Sequence, residues 1–305
     1  MIRKQSLDTF AVTAMLVLCS LWALQQIAIK AIIPEVPPFW QSGIRSLGAA
    51  IVIAGWFRYA RLTWTRGLFW PGLLVGTLFS VEFGLLYVSL GYTDAARAAL
   101  LLYTAPFVVA IGAHFLMPGE RLSIAGWVGI VTAFVGTGLV LQASVSVDSQ
   151  KFLGDACALG AGILWGLTTL AIRMTGLAQA PASQTLLYQL AVSAVLLTAA
   201  AFLFEGPPAM PHSLMAWSSL AYQTVVVAAL SFLAWFALIA RYSATKLSVF
   251  TFLTPLLAAL AGIALLGERI DGHHVLALLC IVAGIIVVNI YGHRRAPTGV
   301  LQEKA

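Results

Sequence analysis

From residue 10 to residue 29 the chain carries no Asp, Glu, Lys or Arg, and nine further windows of similar length carry at most one each. They are 36–57, which holds Arg45; 67–93, which holds Glu82; 98–119, whose sole titratable group is His114; and 122–147, 156–172, 186–204, 214–240, 247–267 and 275–291. A hydrocarbon layer about 30 Å thick is crossed by roughly 20 apolar residues of helix. In lipid the backbone must satisfy its own hydrogen bonds, and these windows lack the alternation of barrel strands. Only 9% of the residues are charged, against about 25% in a soluble domain. The expected fold is therefore all-α, a polytopic membrane protein of ten transmembrane helices. Pro34, Pro37-Pro38, Pro118-Gly119 and Gly206-Pro207-Pro208 punctuate the windows.

The second constraint is internal repetition. Trp22-Ala-Leu-Gln-Gln-Ile-Ala-Ile-Lys30 returns 143 residues later as Trp165-Gly-Leu-Thr-Thr-Leu-Ala-Ile-Arg173. Tyr103-Thr-Ala-Pro106 is answered by Phe252-Leu-Thr-Pro255, and the Gly-Glu-Arg turns at Glu120 and Glu268 follow those prolines by 14 and 13 residues. Gly136 and Gly284 each lie 16 residues beyond their glutamate. Four landmarks in one order define a duplicated unit. The first five-helix repeat is assigned to 1–143, a linker to 144–153, the second repeat to 154–292 and a cytoplasmic tail to 293–305. An odd number of helices per copy makes the second enter the membrane from the opposite side, so the expected architecture is two inverted repeats around a central cavity.

Orientation follows from the basic residues. With the N-terminus inside, twelve of the 17 Lys and Arg lie at cytoplasmic ends, among them Arg58, Arg61, Arg66, Arg121, Arg173 and Arg241. Lys30, Arg97, Lys151 and Arg269 fall on the other side and Arg45 inside the membrane. Both termini are expected in the cytoplasm. The net charge of +6 reflects this bias and the pull of anionic lipid headgroups, and gives no support to nucleic-acid binding. Arg3 and Lys4 before an apolar run, with Leu16-Val-Leu-Cys19, resemble a lipoprotein signal. The bulky Leu18 before the cysteine and the full spanning length point instead to a first span. Cys19, Cys157 and Cys280 lack metal-ligand spacing and are read as packing residues.

The ten-helix count, the Trp-Gly-Leu, Ala-Pro-Phe and Thr-Pro-Leu elements and the paired Gly-Glu-Arg turns resemble the drug/metabolite transporter superfamily, in particular its EamA-type members. The likeness covers 10–292. Within that superfamily the chain is similar to bacterial inner-membrane exporters of amino acids, including aromatic ones. The resemblance implies a secondary transporter of the inner membrane whose binding cavity lies between the first, third, fourth, sixth, eighth and ninth helices.

Candidate site residues follow from both sources. Trp22 and Trp165 lie too deep for interfacial belts and carry Gln25 and Gln26, or Thr168 and Thr169, three and four residues on. Amides and hydroxyls at such places serve either a polar ligand or helix-to-helix hydrogen bonds. Ser80, Phe83, Tyr87, Tyr103, Ser231, Trp235, Phe252 and Thr254 are further wall positions, chosen partly from the family's cavity. Glu82 and Arg45 are charges inside membrane windows and so candidates by cost alone. Glu82 is read as pairing with Arg45 or as handling substrate or protons, Arg45 as structural. Pro106 and Pro255 each remove a backbone donor and are expected to leave the Leu102 and Thr251 carbonyls unbonded, giving paired hinges. Glu120 and Glu268 are expected to cap the helices that follow them, and the histidines to be solvated.

Aromatic rings, hydroxyls and amides with one carboxylate suit a small neutral or zwitterionic molecule, an amino acid foremost. No zinc-protease helix, nucleophile elbow or phosphate loop is present, so an enzyme is not expected. No cofactor or metal is expected beyond proton coupling through Glu82. The expected partners are the substrate and membrane lipids, with a monomer sufficient. A channel, a lipid or drug efflux protein, or an importer is the competing reading.

Overall fold

The computed structural model describes residues 8–117, 120–145, 149–208, 210–242, 247, 250–251, 253–269 and 272–291. The N-terminal Arg3 and Lys4, Phe252 and the tail at 293–305 lie outside them. The described residues form helices joined by short turns, with no strand. The spans are Thr9–Ile32, Pro38–Tyr59, Phe69–Tyr92, Ala95–Leu116, Ile124–Val145, Ser149–Met174, Ala182–Phe204, Leu214–Arg241 in three segments, Leu253–Leu266 and Gly272–Tyr291. Six of these helices are long and apolar enough by themselves to cross a membrane. The chain is a multi-pass membrane protein. Its outer surface is apolar, as lipid requires: Leu203, Leu214 and Ile124 are each more than three-quarters exposed.

Two spans are not regular helices. The fourth breaks between Ala95–Leu102 and Ala105–Leu116, where Thr104 N–H reaches back only three residues to the Leu101 carbonyl, at 3.1 Å. Pro106 is the second residue of the new helix, where its missing N–H costs little. Pro255 likewise stands near the start of Leu253–Leu266, and the Thr251 carbonyl accepts from Thr254 N–H at 3.0 Å. The expectation of an unbonded Thr251 carbonyl is thus corrected: a tight turn takes it up. The eighth span carries ten residues of π-helix, Tyr222–Ser231, between two α-helical segments. π-Turns concentrate at functional places.

The two copies pack by exchange. The first span lies on the ninth, and the sixth on the fourth; the third lies on the sixth, and the first on the eighth. The fifth and tenth pack on each other, as do the second and seventh. Gly162 of the sixth span sits where a Cβ would lie 2.8 Å from the Leu101 and Leu102 carbonyls, against the break in the fourth. Cys19, its counterpart in the first span, places its thiol 3.2 Å from the Phe250 carbonyl just before the ninth. Cys19 is fully buried, in keeping with a packing role.

Carboxylates cross between the copies to cap helix starts, where unpaired N–H groups favour anions. Glu205 accepts from Phe39 N–H at 2.8 Å and Trp40 N–H at 3.0 Å. Burial pushes its carboxyl above the ordinary range against those two amides. Glu35 accepts from the Ser213 hydroxyl and amide, both at 2.6 Å, and from His212 N–H, which holds it below that range.

Candidate functional site

Two clusters of buried polar side chains meet between the copies. In the first, Trp22 donates its indole N–H to the Ser231 hydroxyl at 2.9 Å and stands edge-on to Trp235, with ring centres 5.9 Å apart. Across from it Tyr103 stands edge-on to Trp165 at 5.6 Å and faces Thr254, which also neighbours Cys19. The break in the fourth span and the start of the ninth deliver Tyr103 and Thr254 to this place. Thr254 is buried, and its hydroxyl has no hydrogen-bond partner.

The second cluster lies nearer the Lys30 end of the bundle. Tyr87 is fully buried beside Gln25 and donates to Gln223 Oε1 at 2.7 Å. Gln223, on the first turn of the π-helix, donates in turn to Gln41 Oε1 at 3.2 Å and to the Ser219 hydroxyl at 3.0 Å. The eighth span is also tied to the first through Tyr222 and Ser219 hydroxyls on the Leu21 and Ala28 carbonyls, each at 2.7 Å. Arg45 and Glu82 adjoin this cluster and do not bond each other: no ion pair joins them within 4.0 Å. The Arg45 guanidinium instead lies 4.0 Å over the Phe83 ring, and none of its three nitrogens has a partner. Glu82 Oε2, Gln25 Nε2 and Gln26 Oε1 are equally unpartnered.

A buried polar atom without a partner costs about 1–3 kcal/mol, more if charged, so such atoms gathered in one region mark a place built for something beyond packing. Trp22, Gln25, Glu82, Phe83, Tyr87, Tyr103, Trp165, Ser231, Trp235 and Thr254 fall in these clusters; Gln26 is buried on the first span with its Oε1 unpartnered. Ser80, Thr168 and Thr169 spend their hydroxyl protons within their own helices, on the Gly76, Leu164 and Trp165 carbonyls at 2.6, 2.8 and 3.0 Å. Sequence reasoning overlooked Gln41 and Gln223. Both are amides in apolar windows, as Gln25 and Gln26 are, and that signal was available.

The ends of the repeated motif hold a further arrangement. Lys30 Nζ lies 2.8 Å from Glu268 Oε1, and Glu268 also accepts from Ala95 N–H at 2.8 Å and Ala96 N–H at 3.3 Å. Glu268 therefore caps the fourth span of the other copy rather than the helix that follows it. Arg173, the counterpart of Lys30, pairs with Glu120, the counterpart of Glu268. Around Lys30 the network widens to Asp94 at 3.7 Å, which pairs with Lys151 at 2.7 Å. Burial alone would raise the Asp94 carboxyl, but Lys151, then Lys30 and Arg97, hold it below the usual range. One turn deeper, Arg97 and Asp155 form a fully buried pair; Asp155 also accepts from the Thr93 hydroxyl at 2.5 Å, and Arg97 donates to the Val140 carbonyl at 2.6 Å. The Arg173 end is more exposed, and there His114 Nδ1 accepts from Leu122 N–H at 2.8 Å.

Comparison with known families accounts for this layout. The model of the EamA-like transporter family matches residues 9–142 and again 152–290. The chain belongs to the EamA-like transporter family. Among its relatives, the uncharacterised transporter YvbV of Bacillus subtilis is 27% identical over 290 residues, covering 94% of this chain and 93% of that one. A protein of Salmonella typhimurium described as a probable amino-acid metabolite efflux pump is 25% identical over 285 residues, covering 90% of this chain and 92% of its own. The Escherichia coli protein of that description is 23% identical over the same length and coverage. A solved crystal structure superposes with a TM-score of 0.67 at 21% identity, covering 95% of this chain and 99% of that one, which places this EamA chain in the same fold.

Proposed function

We propose that this EamA-family transporter is a secondary carrier of a bacterial inner membrane that exports small neutral or zwitterionic metabolites, amino acids including aromatic ones foremost. The observation that carries the reading is a pair of neighbouring sites between the copies: the unpartnered hydroxyl of Thr254 beside Tyr103, with the rings of Trp165, Trp22 and Trp235, and the unpartnered groups on Gln25 and Glu82 beside Tyr87 and Arg45. Rings offer apolar contact to a side chain; amides, a hydroxyl and a carboxylate offer hydrogen bonds to a polar head. The description of two relatives as amino-acid metabolite efflux pumps supports the cargo.

In this reading the copies are inverted with respect to each other, both termini are cytoplasmic and the site opens alternately to each face. The break at Thr104 and the turn before Thr254, each followed by its proline, serve as hinges. The Lys30–Glu268 network closes the outer face and the Arg173–Glu120 pair the inner one. Cargo movement is driven by an ion gradient, with Glu82 as the proton-carrying group near Arg45 and Tyr87.

Purified protein in liposomes tests the proposal directly. Counterflow of labelled aromatic amino acid should saturate and depend on unlabelled amino acid inside; non-saturating flux without counterflow would establish a channel instead. Glu82→Gln should flatten the pH dependence of transport, and an unchanged profile in folded protein would remove the coupling role. Pro106→Ala should slow exchange more than it weakens binding, because a residue with a backbone donor lets the helix run on through the break. Equal effects on both would argue against a hinge.

A further inference from the structure

Arg45 is the largest fully buried side chain in the described structure, and it has no anionic partner within 4.0 Å. Its location is specific. The guanidinium carbon lies 4.0 Å over the centre of the Phe83 ring, so the ring quadrupole meets the cation without taking up any N–H donor. All three nitrogens are without a hydrogen-bond partner. A planar fork of donors is the complement of a carboxylate, bound by two parallel bonds. Glu82, the residue before Phe83, holds an unpartnered oxygen within electrostatic range of Arg45. Gln25 is in the same region, beside the Tyr87 hydroxyl.

An internal salt bridge, one of the two alternatives the sequence left open for Glu82, would have neutralised both charges. Instead the chain presents a buried guanidinium fork and a buried carboxyl held apart from it. A ligand with one charge would satisfy one of them and leave the other buried without a partner. A ligand carrying both charges satisfies both. We infer that Arg45 and Glu82 form a two-pole receptor for the head of a zwitterion, Arg45 taking the carboxylate and Glu82 the ammonium, with the aromatic residues left to the side chain. This rests on the carrier reading and narrows its cargo from neutral or zwitterionic molecules to α-amino acids or their close analogues. Arg45 is inaccessible in the structure described here, so cargo reaches it when the copies separate.

The test uses three probes that share a phenyl group: L-phenylalanine, 2-phenylethylamine, which lacks the carboxylate, and 3-phenylpropionate, which lacks the amine. Each is assayed as a competitor of phenylalanine counterflow in liposomes and by thermal stabilisation in detergent. Wild type should prefer phenylalanine over both by about 30-fold or more, the loss expected when a charge-assisted pair goes unmade. Arg45→Gln should weaken phenylalanine and phenylpropionate by a similar factor while changing phenylethylamine by less than about threefold. Arg45→Lys, which keeps the charge without the fork, should fall between the two. Equal weakening of all three probes by Arg45→Gln, or wild-type indifference to the missing carboxylate, overturns the assignment. If Arg45→Gln does not fold, phenylglyoxal labelling of wild type decides: phenylalanine should protect Arg45 and phenylethylamine should not, and identical labelling rates overturn the proposal. Saturable counterflow without carboxylate preference leaves the carrier standing and removes the receptor; no saturable exchange with any probe sinks both.

Discussion

Glu268→Gln is expected to unlock the Lys30 end of the bundle. Glu268 is 5% exposed and holds Lys30 and two amides at the start of the fourth span, so one carboxylate joins three elements from both copies. Glutamine keeps one acceptor and loses the charge. Removing one partner of a buried pair costs about 3–5 kcal/mol, and the 26% exposure of Lys30 argues for the lower end. Even about 3 kcal/mol moves an equilibrium more than 100-fold. The measurement is the labelling rate of an Ala96→Cys reporter by an impermeant maleimide, in a background lacking Cys19, Cys157 and Cys280. The rate should rise at least tenfold in Glu268→Gln, and the reversed pair Lys30→Glu with Glu268→Lys should restore part of the protection. Glu120→Gln should do less at the other end, because Arg173 and Glu120 are 37% and 35% exposed and water already screens them. An unaltered reporter in Glu268→Gln would mean that the network braces the fold without gating it.

Gly136→Val and Gly138→Val, two residues apart on the fifth span, are expected to give opposite results. A Cβ on Gly136 would stand 2.8 Å from the Ala277 carbonyl and 2.9 Å from Cys280 Cβ, while one on Gly138 would meet nothing within 4 Å. The fifth and tenth spans approach through small residues, as membrane helices do when packing rather than hydrophobicity must hold them together. Overpacking such a contact costs about 1–3 kcal/mol or more. Gly136→Val should lower the midpoint of thermal unfolding by on the order of 10 °C or abolish folded protein, and Gly138→Val should leave it within about 2 °C. Equal midpoints would show that the two helices slide apart freely.

The contrast between these glycines marks the reach of sequence reasoning. Gly136 was identifiable because Gly284 repeats it, but neither sequence position shows that Gly138 faces away. The same holds for the charges. Lys30 and Arg173 were recognisable as matching ends of one motif, and Glu120 and Glu268 as matching turns. That each base pairs with the glutamate of the other copy was not. Ser80, Thr168 and Thr169 were selected for their hydroxyls, and their protons turn out to serve their own helices. Arg45 was read as structural, paired with Glu82 or with backbone carbonyls; its place over the Phe83 ring, with its three nitrogens unpartnered, was not legible.

Window lengths, the scarcity of charge and the doubled order of landmarks were enough to determine ten helical spans and a membrane setting, since both depend on the local chain and on lipid as solvent; the family came from the resemblance of the repeated motifs. Pairings across helices were decided only in the tertiary structure. Lys30 meets Glu268 at a separation of 238 residues, and no spacing rule reaches that far. Helical periodicity states which residues share a face of one helix, whereas the rotation and depth at which two faces meet are set by the packing of all the spans at once. The π-turns at Tyr222–Ser231 and the break at Thr104 adjust that rotation. They bring Gln223 to Tyr87 and Tyr103 to Trp165.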